Sequence, residues 1–475
     1  MRANRTLEVC FKINRTVVSA VMVFMLGSVR VAALDLWVDQ SSPGCSDSLT
    51  RVQVTASTPW CSLAAAAVAA RAGDTVRIRP GAYLGTVQPA ASGSASEPIR
   101  YVADDGGVTL NAAGATVGLK ISGVSGLALD GIAITGAAGQ GVYMNSASAV
   151  TLSHLVVSGN GGQGIQLRAS TVTVSDSTIS GNGLAGVCEL QGSSTNVYRG
   201  NLITGNGKDG NPYSGDGILL SGSGATVIGN TITDNGDPGP YEHGIYASSV
   251  SSGYLIESNT LGANAASSIK AAGAGGTIRY NRLSDGRFGL VFSDNSTPVS
   301  AYYNLIAGHF QHAVFFTTGT TAARAKLWNN TIVQGGRLTE SGDASAVFVN
   351  SAALADVRNN LICYTNPDSL GIGLWVNNAS LVGSLVSNNN WVCSSDASQQ
   401  NFAWNGSRTT FAGWKAASGQ DAASFSTLPP IFAIDYRLVS TNVGKRNGQR
   451  LGLKRDYVGT TVPTRRPDIS AYQSP

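Results

Sequence analysis

Short runs in which apolar and polar residues alternate recur along most of this chain. Gly164-Ile165-Gln166-Leu167, Ala225-Thr226-Val227-Ile228 and Gly244-Ile245-Tyr246-Ala247 are representative. A period of two places alternate side chains on opposite faces, which predicts β-strands half buried and half exposed. The strands are punctuated by a second pattern. Asn201, Asn230, Asn259, Asn281, Asn304, Asn330, Asn360 and Asn390 each open an Asn-x-apolar triplet, at steps of 22 to 30 residues. A unit of that length cannot bury its own apolar face, so copies must stack as a solenoid. No segment between the strands is long or periodic enough for a crossover helix, and the chain carries 58 glycines. Strand must therefore stack on like strand. The fold class is all-β, a single-stranded parallel β-helix of about ten coils between roughly residues 110 and 395. An asparagine at the same turn of every coil can bond its neighbours and satisfy turn backbone groups. Leu155 and Ser177 take the asparagine place in two earlier coils.

Four regions follow. Residues 1–33 read as a signal peptide, with Arg2, Arg5, Lys12 and Arg15 ahead of the apolar run from Val17 to Gly27 and small residues at Val31-Ala32-Ala33. Residues 34–110 form an amino-terminal cap and the first coils, with a short capping helix over Ser62 to Ala72. Residues 111–395 are the β-helix. Residues 396–475, bearing Trp404, Phe411, Trp414, Phe425, Phe432 and Tyr436, close the other end, where an open core and sheet edges need cover. The expected location is secreted, periplasmic or cell-surface, without stable membrane insertion once the leader is removed.

Charged residues make up only 13% of the chain, with a net charge of +4. No basic run is interleaved with aromatics, which argues against nucleic acid as a partner. Loss of the leader removes Cys10 and leaves five cysteines. Cys363 and Cys393 each follow a ladder asparagine by three residues, so they stack on adjacent coils about 4.8 Å apart, within disulfide reach. A second bridge joins Cys45 to Cys61, and Cys188 remains a free, packed thiol.

The coil pattern, the asparagine ladder and the opening Leu36-Trp37-Val38-Asp39, then Ala72-Gly73-Asp74-Thr75-Val76-Arg77-Ile78-Arg79-Pro80-Gly81-Ala82-Tyr83, resemble the right-handed parallel β-helix proteins of the pectate lyase superfamily. The tail, from Phe411-Ala412-Gly413-Trp414 through Asp435-Tyr436-Arg437-Leu438 to Arg466-Pro467-Asp468-Ile469-Ser470-Ala471-Tyr472, is similar to the closing segment of secreted bacterial members. The resemblance implies a right-handed winding and a carbohydrate-directed protein. It does not fix the chemistry, because the superfamily holds lyases, hydrolases, epimerases and noncatalytic adhesins.

Function is sought on the outward faces of the coils. The polar position of the Gly-apolar strands reads, down the solenoid, Tyr143, Gln166, Cys188, Leu219, Tyr246, Lys270, Val291, Phe315, Phe348 and Trp375. Asp216, His243 and His312 lie just before such strands, and the long turns 205–215 and 234–242 overhang the same coils. This constellation suits β-elimination on a uronate polymer, which needs a base for the C5 proton, a neutralised carboxylate and a proton for the leaving oxygen. Lys270 in Ser268-Ile269-Lys270 resembles the base of the chondroitinase B and alginate lyase branch. The arginine acid of that branch has no counterpart in Leu290-Val291-Phe292-Ser293, so Arg287 or His312 would substitute. The catalytic candidates are Lys270, His243, Tyr246, Arg287 and His312, and the substrate-binding candidates are Asp216, Gln166, Arg168 and Phe315. Calcium is the cofactor the resemblance implies, with Asp209, Asp216, Asp237 and Glu242 as candidate ligands. The expected protein is a monomer acting on an acidic polysaccharide. Three readings stay open: lyase, other carbohydrate-active enzyme such as a two-carboxylate hydrolase or an epimerase, and noncatalytic glycan-binding solenoid. An enzyme should gather Lys270, His243 and Asp216 in one groove, and a binder should show a flat aromatic row.

Overall fold

The computed structural model describes residues 32–473 apart from 209, 211–214, 294–297, 318–323, 336–343, 351–353, 366–370, 379–384, 396–399, 431, 433–434 and 438–443. Residues 1–31, most of the expected leader of residues 1–33, and the candidate ligand Asp209 lie outside the described residues. Among the described residues strand stacks on like strand in three sheets of 14, 14 and 13 strands, except for the closing antiparallel pair of Phe402–Trp404 with Ser407–Thr409. One coil shows the order. His243–Ala247 lies in the third sheet, Leu255–Glu257 in the first and Thr260–Gly262 in the second, and Ser267–Ala271 opens the next coil beside His243–Ala247. Eleven third-sheet strands stack in parallel from Leu119–Ser122 to Ile372–Val376, one more than the ten coils counted from the sequence.

Alternation sets the register. Ile245, Ile269, Leu290, Val314, Val347 and Leu374 align as consecutive partners and are wholly buried. Ile256 and Ile278 on the first sheet and Ile232 and Leu261 on the second fill the same core. A one-residue slip would turn such a row outward, so burial pins the pairing.

The asparagines form the ladder expected of them. Asn281 Oδ1 accepts the Asn259 backbone N–H at 2.9 Å and its Nδ2 at 3.0 Å, while Asn281 Nδ2 donates to the Ile256 carbonyl at 2.9 Å and to Asn304 Oδ1 at 3.0 Å. Ser177 and Leu155 continue the column upward: Ser177 N–H donates to Asn201 Oδ1, and Leu155 N–H to Ser177 Oγ. At the lower end Asn390 is closed by Ser424 and Asp421.

A second ladder runs at the turn into the third sheet. Asn160, Asn182, Asn206, Asn235 and Asn264 repeat the amide-to-amide bonds at 2.9 to 3.0 Å. It explains the glycine that opens the third-sheet strands. A Cβ on Gly244 would stand 2.7 Å from Asn264 Nδ2, and one on Gly164 would stand 2.8 Å from Asn182 Nδ2. The backbone must approach the ladder too closely for any side chain.

Both ends are covered. Helix Leu63–Ala69, capped by Ser62 accepting from the Ala65 N–H, buries Leu63, Ala66 and Ala67. Helix Phe411–Ser418 buries Trp414, whose indole N–H donates to Asp421. Both expected disulfides are present, Cys363 to Cys393 with Cα atoms 4.4 Å apart and Cys45 to Cys61 with Cα atoms 5.0 Å apart, and Cys188 is free and buried.

Candidate functional site

The outward column on the third sheet is a continuous row, since each member from Tyr143 to Trp375 is the strand partner of the next. Two members depart from the expected exposure. Cys188 and Val291 are each only 5% exposed. Both are small residues flanked on adjacent rungs by longer side chains, Gln166 and Leu219 for the first, Lys270 and Phe315 for the second. At a rung spacing of about 4.8 Å the neighbours shade them.

Three residues upstream of the outward column runs a second row, Asp216, His243, Ser267, Phe288, His312 and Ser345. All of these side chains except the half-buried Phe288 lie beneath the surface, which corrects the reading of His243 and His312 as groups that touch substrate. His243 and His312 are buried, the first with Nδ1 2.7 Å from Ser267 Oγ, the second with Nδ1 2.9 Å from Ser345 Oγ. Burial, with the Lys270 charge adding to it, pushes His243 down to about 3, and burial with Arg287 does the same for His312. Both rings are neutral at neutral pH. Burial pushes the Asp216 carboxyl up to about 8 even though its Oδ1 accepts the His243 N–H at 2.7 Å. It too is largely uncharged there.

Tyr246 and Lys270 form the accessible part. Lys270 Nζ stands 4.8 Å from the centre of the Tyr246 ring, and the His243 ring meets that of Tyr246 edge-on at 5.4 Å. Lys270 has no ion-pair partner among the described residues. On the adjoining coil Arg287 lies over Phe288 and donates to Gln311 Oε1 at 2.9 Å. Below them an aromatic row continues: Phe288 to Phe315 at 5.5 Å, Phe315 to Phe348 at 5.2 Å and Phe348 to Trp375 at 4.7 Å. Gln166 and Arg168 lie four rungs above Lys270 on the same face, about 19 Å away at the usual spacing, and Phe315 two rungs below.

The acidic residues serve the turns. Glu242 is buried and accepts the Gly215 N–H at 2.8 Å and the Asp237 N–H at 2.5 Å, while Asp237 Oδ2 accepts the Gly210 N–H at 2.6 Å. Asp237 and Glu242 thus tie the two overhanging turns together. Among the described residues no three His, Cys, Asp or Glu side chains converge as a cation site. Of the four candidate calcium ligands, Asp216, Asp237 and Glu242 accept backbone N–H groups, and Asp209 lies outside the described residues.

Two family models cover most of this helix. One, described as Pel9A-like, right handed beta helix region, matches residues 46–239, and the other, right handed beta helix region, matches 216–411. The chain is a pectate lyase-like right-handed β-helix. Solved structures similar to it include pectate lyase Pel9A, at 15% identity over 94% of this chain and 98% of that one with a TM-score of 0.47. The A-module of the mannuronan C-5 epimerase AlgE6 from Azotobacter vinelandii matches at 15% over 75% and 91%, TM-score 0.45. An alginate lyase from Paenibacillus sp. str. FPU-7 matches at 18% over 62% and 90%, TM-score 0.35. No curated protein matches the sequence. At these identities no residue role passes from one chain to another.

In this pectate lyase-like helix, the sequence brought Lys270, Tyr246, His243 and Asp216 to one strip, and the structure keeps them there in two layers. What was missed is the lower layer's serines, Ser267 and Ser345. The signal was available, because each occupies the position of His243 or His312 in the following coil.

Proposed function

We propose that this β-helix is an extracellular polysaccharide lyase that cleaves a uronate-containing glycan by β-elimination at Lys270. The observation that carries the reading is Lys270 Nζ, held 4.8 Å from the centre of the Tyr246 ring on the outward column and backed by a buried and uncharged layer of Asp216, His243 and Ser267. A glycan lying along the column meets Lys270 above this uncharged layer, with Arg287 on the adjoining coil. Lys270, in its neutral form, takes the C5 proton of the uronate. The C5–H electron pair becomes the C4=C5 double bond, and the C4–O4 bond breaks toward oxygen. Tyr246, one rung away, returns a proton to O4 and recovers one from the Lys270 ammonium, which closes the cycle. Arg287 on the next coil is the cation available to the substrate carboxylate. His243 positions the Tyr246 ring. The two disulfides accord with an oxidising compartment outside the cytoplasm. With Asp216, Asp237 and Glu242 accepting backbone N–H groups, no step is routed through calcium.

A noncatalytic glycan-binding solenoid is the second reading, favoured by the row Phe288, Phe315, Phe348 and Trp375. The two separate on one assay. Purified protein is screened against acidic polysaccharides, with and without chelator, for the ultraviolet absorbance of the unsaturated uronate. Release of reducing ends without that absorbance rejects elimination, and binding with neither leaves the row as the functional element.

A further inference from the structure

The leader carries five of the chain's cations and one acid, so residues 34–475 are neutral overall. That neutrality is uneven. Residues 444–473 contain Lys445, Arg446, Arg450, Lys454, Arg455, Arg465 and Arg466 against only Asp456 and Asp468. All seven cations are exposed and none forms an ion pair among the described residues, whereas both acids are buried. The acids serve the backbone: Asp456 accepts from the Val458, Thr460 and Gln473 N–H groups, and Asp468 from that of Arg446. The remainder, residues 34–443, is correspondingly acidic by five charges.

This segment is fastened to the corner between the first and second sheets, the corner opposite the third sheet. Asn329 Nδ2 donates to the Asp468 carbonyl, Asn359 exchanges bonds with the backbone of Gln449, Asn389 donates to the Asn447 carbonyl and Tyr280 to that of Arg455. Where it crosses the coils it leaves a groove of about 680 Å³ lined by Arg279, Tyr280, Tyr302, Lys454, Arg455 and Tyr457. A second groove of about 450 Å³ shares Lys454 and Arg455 and extends to Arg450. Arg279 is bound to Glu257 at 2.6 Å, which leaves the tail cations as the free charges of the groove.

We propose that residues 444–473 form a second docking surface, separate from the third-sheet strip, for an acidic glycan chain. Anionic groups of the chain would meet Arg450, Lys454, Arg465 and Arg466, with sugar rings against Tyr280 and Tyr302. Those two rings meet edge to face, at 89° and 6.4 Å. That geometry offers no row of parallel faces on which bases would stack. Val458 is the one large apolar side chain the segment exposes, too little to anchor it in lipid. The proposal does not rest on the lyase reading.

The test uses the full mature protein with polygalacturonate, neutral dextran, single-stranded DNA and anionic phospholipid vesicles as probes. Binding to polygalacturonate is expected, with loss of at least tenfold in affinity between about 0.05 and 0.5 M salt, where screening shortens from beyond 10 Å to a few ångströms. The triple variant Arg450→Glu, Lys454→Glu, Arg466→Glu touches no side-chain hydrogen bond of the fold, so it should unfold at the wild-type temperature and bind at least tenfold more weakly. The charge-conserving double variant Arg450→Lys, Arg466→Lys should bind as wild type. Lys270→Ala should retain this binding whether or not it eliminates, which separates failure here from failure of the lyase reading. Unchanged polygalacturonate binding by the folded glutamate triple, or binding of DNA or vesicles but not of polygalacturonate, overturns the proposal.

Discussion

Replacing Asn281 with alanine tests what holds the coils together. Asn281 sits mid-ladder and is fully buried. Alanine removes the acceptor for the Asn259 N–H at 2.9 Å and one donor to the Ile256 carbonyl at 2.9 Å, the latter within a strand paired on both sides. The Asn259 amide keeps its bond to the Val227 carbonyl, and Asn304 Oδ1 keeps the Asn281 N–H, so those groups are only partly stripped. A buried polar group left alone, here the Asn259 N–H, costs roughly 1 to 3 kcal/mol. With the lost bond to the Ile256 carbonyl and a small cavity added, the expected loss is about 3 kcal/mol. Ser177→Ala is the control near the upper end. It breaks only the bonds to the Leu155 N–H at 3.0 Å and the Ser175 carbonyl at 2.8 Å, and should cost about 1 to 2 kcal/mol. Urea unfolding followed by circular dichroism gives both values. Hydrogen exchange adds a local readout, since the Asn259 amide should lose protection in Asn281→Ala while distant coils keep theirs. An Asn281→Ala protein within about 0.5 kcal/mol of wild type, with the Asn259 amide still protected, would refute the ladder as a source of stability.

Lys270→Ala should lower elimination by about 10² to 10⁴ while leaving stability within about 0.5 kcal/mol, and unchanged turnover by the folded variant would remove Lys270 from the mechanism. Acid should destabilise the protein through its buried histidines. Burial holds His309 down at about 4, below its unfolded value near 6.5, so its contribution is complete above pH 6.5 and is lost as pH falls toward 4, on the order of 3 kcal/mol. Urea midpoints at pH 7 and pH 4 for wild type and His309→Gln measure it, and an identical pH slope in the two contradicts the assignment. Opening the bridge with Cys363→Ala and Cys393→Ala should cost about 3 to 4 kcal/mol for a span of 30 residues, read from the same unfolding curves. Nonreduced peptide mapping should show that bridge and an unmodified Cys188 that alkylates only after unfolding, and alkylation of Cys188 in native protein would place it wrongly.

Much of the scaffold was legible because its constraints are periodic. The inward isoleucines, the asparagine triplets and the equal offset of Cys363 and Cys393 each repeat with the coil, so one correct coil predicts the next. The second ladder carried the same signal. Asn206, Asn235 and Asn264 follow Asn201, Asn230 and Asn259 by five residues, and so do Asn160 and Asn182 follow Leu155 and Ser177. The offset reaches Gly286 and then His309, which accounts for the burial of that histidine: a Cβ on Gly289 would stand 2.8 Å from His309 Nε2, as the other strand-opening glycines stand against asparagine. What periodicity could not supply was depth. Asp216, His243 and His312 are polar, and polarity alone places a residue outside. Here the chain has just left a turn and has not begun the alternation of the strand, so groups one coil on, rather than water, meet these side chains: Ser267 and Ser345 for the two imidazole Nδ1 atoms and the His243 N–H for Asp216.

That difference in depth bears on how a polymer could be held. The coils that carry Asp216, His243 and Lys270 are those in which both ladders run side by side, Asn201 with Asn206, Asn230 with Asn235, and Asn259 with Asn264, and Lys270 lies on the strand that follows the last of these. Each coil there is fixed at two of its three corners by buried amide bonds before any side chain reaches the surface. Past Asn264 the second ladder gives way to Gly286 and His309, and the outward column turns from Tyr246 and Lys270 to the phenylalanines. The cation therefore stands on the most fully braced part of the helix, where holding a uronate orders little that is not already ordered, and a positioning error of an ångström would require breaking the ladder itself. A lysine kept only for solubility would gain nothing from that placement, whereas one that must meet a single C5 proton depends on it.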